Sequence, residues 1–375
     1  MPDSTPPREK RPVDVWGKTR IKPGKRKRIR LNAGESFTGI NVSMPLMVWR
    51  GEEDGPVLGI TGAVHGDEIN GTGAIRRLLQ DSPAFKLKRG ALILVPVVNI
   101  TGFERYSRYT VDRRDLNRMF PGSAKGSLTS RLAHLVQEEV VGRCDYLLDL
   151  HTAAVRRTNF PNLRADMENP GCERLARSFG AEIIVDNEGP DGSLRREACK
   201  AGCPTIILEA GEVCKVEPSV QEMILRGISH VMEELNMIDV ENESRGETPP
   251  HQMVVSRSRW IRAEMGGFLQ FHIAPGDTVE KGQPLATNTG LLGKKLETIL
   301  SPTHGIVLGM TTMPAVAPGD PVVHVALPQT RKQLRSLEKS VDRMEDDTLE
   351  TQVRDHLSTN ITVEEHVVID DEDEG

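Results

Sequence analysis

Val57-Leu-Gly-Ile-Thr-Gly-Ala-Val-His65-Gly-Asp-Glu68-Ile-Asn70 decides how the rest of the chain is read. The apolar run at 57–64 reads as a buried strand, Gly66 as a turn, and the spacing of Ile69, Ala74, Ile75, Leu78 and Leu79 predicts a helix over 68–80. His65 and Glu68 therefore leave the C-terminal edge of a strand, where open α/β sheets hold their ligands. Imidazole nitrogen and carboxylate oxygen three residues apart can share one cation. A third ligand is offered by Asp149-Leu-His151-Thr152, which closes the apolar run Tyr146-Leu-Leu. Two His and one Glu, with a position open for water, is the ligand set of hydrolytic zinc sites. Either histidine by itself would more often be a hydrogen-bonded core residue, and His-x-x-Glu is a short pattern.

Working outward, apolar strands at 57–64, 91–98, 146–150, 182–186 and 205–209 alternate with helical patterns at 68–80, 128–143, 171–179 and 219–236. Such alternation predicts an α/β domain whose mostly parallel mixed sheet is flanked by helices. The 375 residues carry 37% hydrophobic and 27% charged side chains, with a net charge of −6, as suits a folded, water-facing protein. Aromatics at 4% argue against a stacking platform for nucleic acid. Five scattered cysteines make neither a disulfide framework nor a paired zinc motif. The absence of a long apolar segment or an apolar h-region leads to an expectation of a cytoplasmic protein with no membrane partner.

Residues 1–17 are polar and proline-bearing and are expected to be disordered. A basic cluster from Lys18 to Arg30 follows, read as solvated strands at the entrance of a catalytic domain spanning 18–240, or as an arm for an acidic partner. Residues 241–252 read as a linker. Short pieces with Gly/Pro/Asp turns over 253–328 predict a small all-β barrel or sandwich. A charged acidic tail, with a short helix at 330–345, completes the chain.

Four motifs, His65-Gly-Asp-Glu68, Asp115-Leu-Asn117-Arg118, Asp149-Leu-His151-Thr and Leu208-Glu209-Ala-Gly211, stand in an order that resembles the succinylglutamate desuccinylase/aspartoacylase family of zinc carboxypeptidase-like hydrolases. The likeness covers roughly 46–240, and the C-terminal region that some members have implies its extension to about 328. It implies one Zn2+ per chain on His65, Glu68 and His151, with Glu209 as general base. It also implies Asn117 and Arg118 as the clamp on a substrate carboxylate, and Arg108 as stabiliser of the oxyanion. Glu212 rivals Glu209, and Arg113 and Arg114 rival Arg108. Arg164, Arg195 and Arg196 are candidates for the acyl part of the substrate, with no motif to choose among them. The phrases Pro275-Gly-Asp-Thr-Val-Glu-Lys-Gly and Ser301-Pro-Thr-His-Gly resemble the biotinyl/lipoyl carrier fold, although Lys294 lacks the neighbours of a modified lysine.

The activity implied is hydrolysis of the amide bond of an N-acyl amino acid, the partner being that small molecule or a short peptide. The alternatives are a metallocarboxypeptidase trimming a peptide C-terminus and a non-catalytic ligand-binding protein. A homo-oligomer is compatible with all three.

Overall fold

The computed structural model describes residues 10–35, 38–80, 86–239, 252–341, 348–359 and 361. The chain divides into two compact units, one of residues up to 155 together with 161–254, the other of 156–160 together with 255 onward.

The first unit begins with β1 (Val15–Trp16), β2 (Thr19–Arg20), β3 (Arg26–Glu35), β4 (Asn41–Arg50) and β5 (Glu53–Gly62). Next come α1 (Asn70–Gln80), β6 (Arg89–Val95), α2 (Ile100–Phe103), α3 (Leu128–Glu139) and β7 (Tyr146–His151). β8 (Arg157–Ala165, from Pro161 on in this unit), α4 (Pro170–Phe179), β9 (Ile183–Asp186), α5 (Leu194–Lys200), β10 (Thr205–Glu212) and α6 (Pro218–Glu234) follow. Its sheet runs β8-β10-β7-β5-β6-β4-β3, with β9 on β8. The centre is parallel, β6-β5-β7-β10, and the β3, β4 margin is antiparallel. The sheet is thus α/β and mixed, with helices packed on it.

Parallel strands need cover on both faces, and the side chains show why they have it. In β6, Ala91, Ile93 and Val95 join one core with Leu132 and Val136 of α3 and Leu194 and Ala198 of α5. Leu92 and Leu94, which alternate with them, are equally buried, while α1 and α4 pack against α6. α4 has the local signals of a helix: Asn169 accepts from the amides of Gly171 and Cys172, Pro170 opens the first turn, and Gly180 closes it with φ +88°.

One reading of the sequence is corrected, and two elements are added to it. Residues 10–17 are folded rather than disordered. Trp16 is 5% exposed with Arg143 stacked 4.1 Å over its ring, and the amide of Arg11 donates to Gly142 O. One aromatic ring supplies enough burial to fix a polar segment. β8 and α5 were not foreseen, because Asn, Arg and Pro interrupt the apolar pattern of the first and the second is a single seven-residue stretch. The basic cluster lies on β2, β3 and the turns beside them, with Lys18, Arg20, Lys22, Lys25, Arg26, Lys27, Arg28 and Arg30 all exposed.

The first unit's range closes with the start of β11 (Met253–Val255), which pairs with β9. The second unit holds β12 (Arg257–Arg262), β13 (Gly267–Phe271), β14 (Thr278–Val279) and β15 (Pro284–Thr289). β16 (Lys295–Leu300), β17 (Gly305–Thr311), β18 (Ala315–Val316) and β19 (Pro321–Leu327) follow. β12-β19-β17 and β16-β15-β13-β18 form its two sheet layers, sharing a core of Leu269, Phe271, Leu285, Val307, Met310, Val323 and Val325. Two Ala-Pro-Gly-Asp turns are built alike. Asp277 and Asp320 accept from the amides of Ala274 and Ala317, and Gly276 and Gly319 take φ +92° and +88°. α7 (Arg331–Val341) falls where the sequence suggested a helix, and α8 (Leu349–Thr359), which was not foreseen, buries Val353 and Leu357. Residues 241–251 of the expected linker and the run Asp370–Glu374 lie outside the described residues.

Candidate metal centre

β5 and β7 are parallel neighbours, so the chain leaves both at the same edge of the sheet. His151 ends β7, and His65 follows β5 after two bends. The bend is tight: Ala63 takes φ +49°, its carbonyl held by the Asn99 amide at 2.9 Å. A non-glycine residue in that region stores strain, as functional sites often do. Gly66 packs directly on α2, where a Cβ would come within 2.1 Å of Gly102 C and 2.2 Å of Phe103 N.

The side chains converge. His65 Nδ1 lies 2.7 Å from Glu68 Oε1, and His151 Nδ1 lies 2.7 Å from Glu68 Oε2. All three are buried, at 3%, 4% and 2% exposure. One ligand atom from each falls within 4.8 Å of the others. Behind them, His65 Nε2 faces Asp115 Oδ1 at 3.1 Å and His151 Nε2 faces Asp149 Oδ2 at 2.8 Å. Asp149 accepts from Thr61 Oγ1 at 2.7 Å, and the Thr152 amide donates to Glu68 Oε2 at 3.1 Å. The two rings meet edge-on, with centroids 4.9 Å apart.

This arrangement poses an electrostatic problem. If each Nε2–H donates to its aspartate, both Nδ1 lone pairs point at a carboxylate, acceptor against acceptor. Either protons or a cation must stand between them. Burial works against charging the imidazoles, yet Glu68, Asp149 and Asp115 outweigh it, so His65 is raised above its ordinary value and His151 well above. Burial likewise opposes the charge on Glu68, but the two histidines hold it well below the usual carboxylate range. His65 Nδ1 is buried, close to the carboxylate, and not aligned for a hydrogen bond. Two nitrogens and a carboxylate directed at a common point, with aspartates fixing each ring from behind, fit a divalent cation.

Of the other residues the sequence singled out, Arg108 has a direct contact with the cluster, through Glu68. Glu209 is in register with His151 on the neighbouring strand, and its Oε1 lies 3.5 Å from Arg164 Nη2. Its rival Glu212 is three residues further on, paired with Lys215 at 2.5 Å. Arg108 reaches Glu68 Oε1 at 3.2 Å and Asp115 Oδ2 at 3.1 Å. Arg113 is exposed, and Arg114 lies 3.8 Å from Asp112. Asn117 is buried, with Oδ1 accepting from the Leu194 amide at 2.8 Å, while Arg118 is exposed and donates to Asn117 O. Arg195 is buried against Asn187, its pKa lowered to about 10 by burial and by Arg164. Arg196 turns to Glu188 and Asp191.

One brace has no signal in the sequence. Asn70 Nδ2 donates to Glu217 Oε2 at 2.6 Å, the Glu217 amide returns to Asn70 Oδ1 at 2.8 Å, and the Glu212 amide donates to the same carboxylate. The partners are separated by 147 positions, so only folding reveals that the start of α1 is tied to the end of β10.

The succinylglutamate desuccinylase/aspartoacylase catalytic domain matches residues 54–235. The N-alpha-acetyl-L-2,4-diaminobutyric acid deacetylase of Halomonas elongata is 26% identical over 260 residues, 67% of this chain and 75% of that protein. A succinylglutamate desuccinylase/aspartoacylase structure from Rhodobacter sphaeroides is 25% identical with a TM-score of 0.70, covering 81% of this chain and 96% of that one. The product-bound ectoine utilization protein EutE (DoeB) of Ruegeria pomeroyi, 22% identical, shares the fold with a TM-score of 0.72 over 84% of this chain and 100% of that one. By motifs, catalytic-domain match and fold together, residues 54–235 form a catalytic domain of the succinylglutamate desuccinylase/aspartoacylase family.

Proposed function

We propose that the protein is a zinc-dependent deacylase that hydrolyses the amide bond of an N-acyl amino acid. The observation that supports it most is the buried meeting of two Nδ1 atoms and one carboxylate, with Glu209 in register beside His151. The similarity to a deacetylase of an N-acetylated diamino acid points to the same bond type.

His65, Glu68 and His151 would hold the ion, which when bound supplies Lewis acidity and lowers the pKa of water. Nitrogen donors favour zinc over the harder cations. Glu209 takes the proton of the attacking water and passes it to the leaving amine, so that one carboxylate serves as base and then as acid. Arg108 faces the carbonyl oxygen as negative charge develops there. Asn117, its Oδ1 already engaged by Leu194, offers its amide N–H to the substrate carboxylate, and exposed Arg118 offers its planar fork. Asp115 and Asp149 orient the two imidazoles. The β layers of the second unit serve as an unmodified domain of biotinyl/lipoyl type, since exposed Lys294 follows Gly293 at a hairpin turn.

The test pairs metal analysis with hydrolysis of N-acetyl, N-succinyl and N-formyl amino acids, including the diaminobutyrate derivative, and of short peptides. About one zinc per chain by the ligand set and amine release from one acyl class are expected. Glu209→Gln is expected to keep the metal and lose activity by on the order of a hundredfold or more. Full activity in that variant would remove Glu209 from the mechanism, and faster turnover of peptides would make the enzyme a carboxypeptidase.

A further inference from the structure

Away from the metal centre, two cysteines that the proposed reaction does not use have been brought together. Cys172 lies in the first turn of α4 and Cys199 in the last turn of α5. Their Sγ atoms are 3.5 Å apart, and both thiols point at the same carbonyl, Thr205 O, at 3.5 and 3.8 Å. Neither is in a disulfide. The pair is asymmetric: Cys172 is fully buried and Cys199 is half-buried, so a small reagent can reach only the second. A hydrogen bond from Cys172 stabilises the Cys199 thiolate, as does the Arg195 guanidinium, and its pKa is lowered. The same hydrogen bond, with burial, pushes the Cys172 thiol up. One reachable, anion-stabilised sulfur backed by a second sulfur in contact is the arrangement of an attacking and a resolving thiol.

We propose that Cys172 and Cys199 form a reversible dithiol–disulfide pair with a peroxide as its oxidant. The Cys199 thiolate attacks hydrogen peroxide: an S–O bond forms, the O–O bond breaks, and the displaced hydroxide takes up the proton that the Cys199 thiol released and leaves as water, giving a sulfenic acid. Cys172 then attacks that sulfur. The S–S bond forms, the S–O bond breaks, and the hydroxyl leaves as a second water with the Cys172 proton. The two thiols give up two electrons, which reduce one peroxide to two waters. Closing the sulfurs to bonding distance, about 2.05 Å, draws α5 toward α4.

The consequence follows from what α5 carries. Its first residue, Leu194, holds Asn117 Oδ1 through its amide, and Arg195 stands in the next position. On the reading of Asn117 and Arg118 as the carboxylate clamp, the disulfide shifts that clamp and weakens substrate binding.

The experiment treats the metal-loaded full chain with hydrogen peroxide, blocks free thiols, and maps tryptic peptides by mass spectrometry without reduction. Cleavage after Lys200 separates Cys199 from Cys203, so the partner is unambiguous. A cross-link between the Cys172 and Cys199 peptides that disappears with dithiothreitol is expected, in wild type and in Cys214→Ser alike. Sulfinic acid at Cys199 without a cross-link, or a bond to Cys203 or Cys214 instead, would overturn the proposal. Activity is read separately: KM should rise several-fold on oxidation, recover with dithiothreitol, and not respond in Cys199→Ser. A cross-link that leaves KM unchanged would keep the thiol pair and overturn its coupling to Asn117.

Discussion

The aspartates behind the histidines are where single atoms matter most. Asp149 Oδ2 accepts from His151 Nε2 and so leaves Nδ1 as the lone pair facing Glu68. Asp149→Asn keeps the size but allows the amide to donate, which favours the wrong tautomer. Metal affinity is expected to fall by about ten- to a hundredfold, to be read by competition with a chelator. An unchanged affinity would mean that Asp149 is only a structural acceptor for Thr61. For substrate, Arg118→Lys preserves charge and removes the two-pronged geometry. KM for an N-acyl amino acid should rise about tenfold, the equivalent of about 1.4 kcal/mol, with kcat little altered. Much of this residue chemistry was legible in the sequence, because His65, Glu68, His151 and Glu209 sit next to strand ends that apolar runs announce. Asp115 as the partner of His65 was not legible as such, being 50 positions away in a loop.

At the scale of elements, the turn between β5 and α1 sets the distance from His65 to Glu68, and Gly66 is its tightest point. Gly66→Ala would place a methyl against the backbone of α2, which has no side chain to move aside. We expect destabilisation of about 3 kcal/mol, at the upper end for an overpacked site, together with weakened metal binding; a thermal melt within 1 °C of wild type would contradict this close approach. The elements the sequence located were those with a clean period. Strands that are apolar throughout and helices with capping residues, such as α4 behind Asn169 and Pro170, obey local rules. β8 eluded those rules because it keeps Asn159, Asn162 and Arg164 on a strand held by its neighbours. Trp16 similarly shows one side chain overriding the polarity of its segment.

For the whole molecule, the charged cluster makes stability depend on pH and on metal together. Without metal, the raised His65 and His151 contribute stability that is complete below their ordinary value of 6.5 and is lost as pH rises through their folded-state values. Glu68, held low, contributes stability that is complete above its ordinary 4.5 and is lost as pH falls through its folded-state value. The contribution of the cluster in the metal-free protein is therefore greatest between pH 4.5 and 6.5. A bound cation replaces the two protons, so loading should abolish the alkaline decline and metal affinity should weaken in acid. Thermal melts across pH, with and without chelator, test this; parallel curves for the two forms would show that no cation occupies the cluster. The sequence by itself determined the α/β class, the alternation of its apolar strands with the longer helices, and the residue types able to bind a cation, since hydrophobic period and short motifs are local properties of the chain. Tertiary structure alone decided which arginine reaches Glu68, that both Nδ1 atoms face inward, that Glu217 braces Asn70, and that Cys172 meets Cys199. Those facts depend on contacts between positions far apart in the chain, which strand register and helix packing fix and no local pattern encodes.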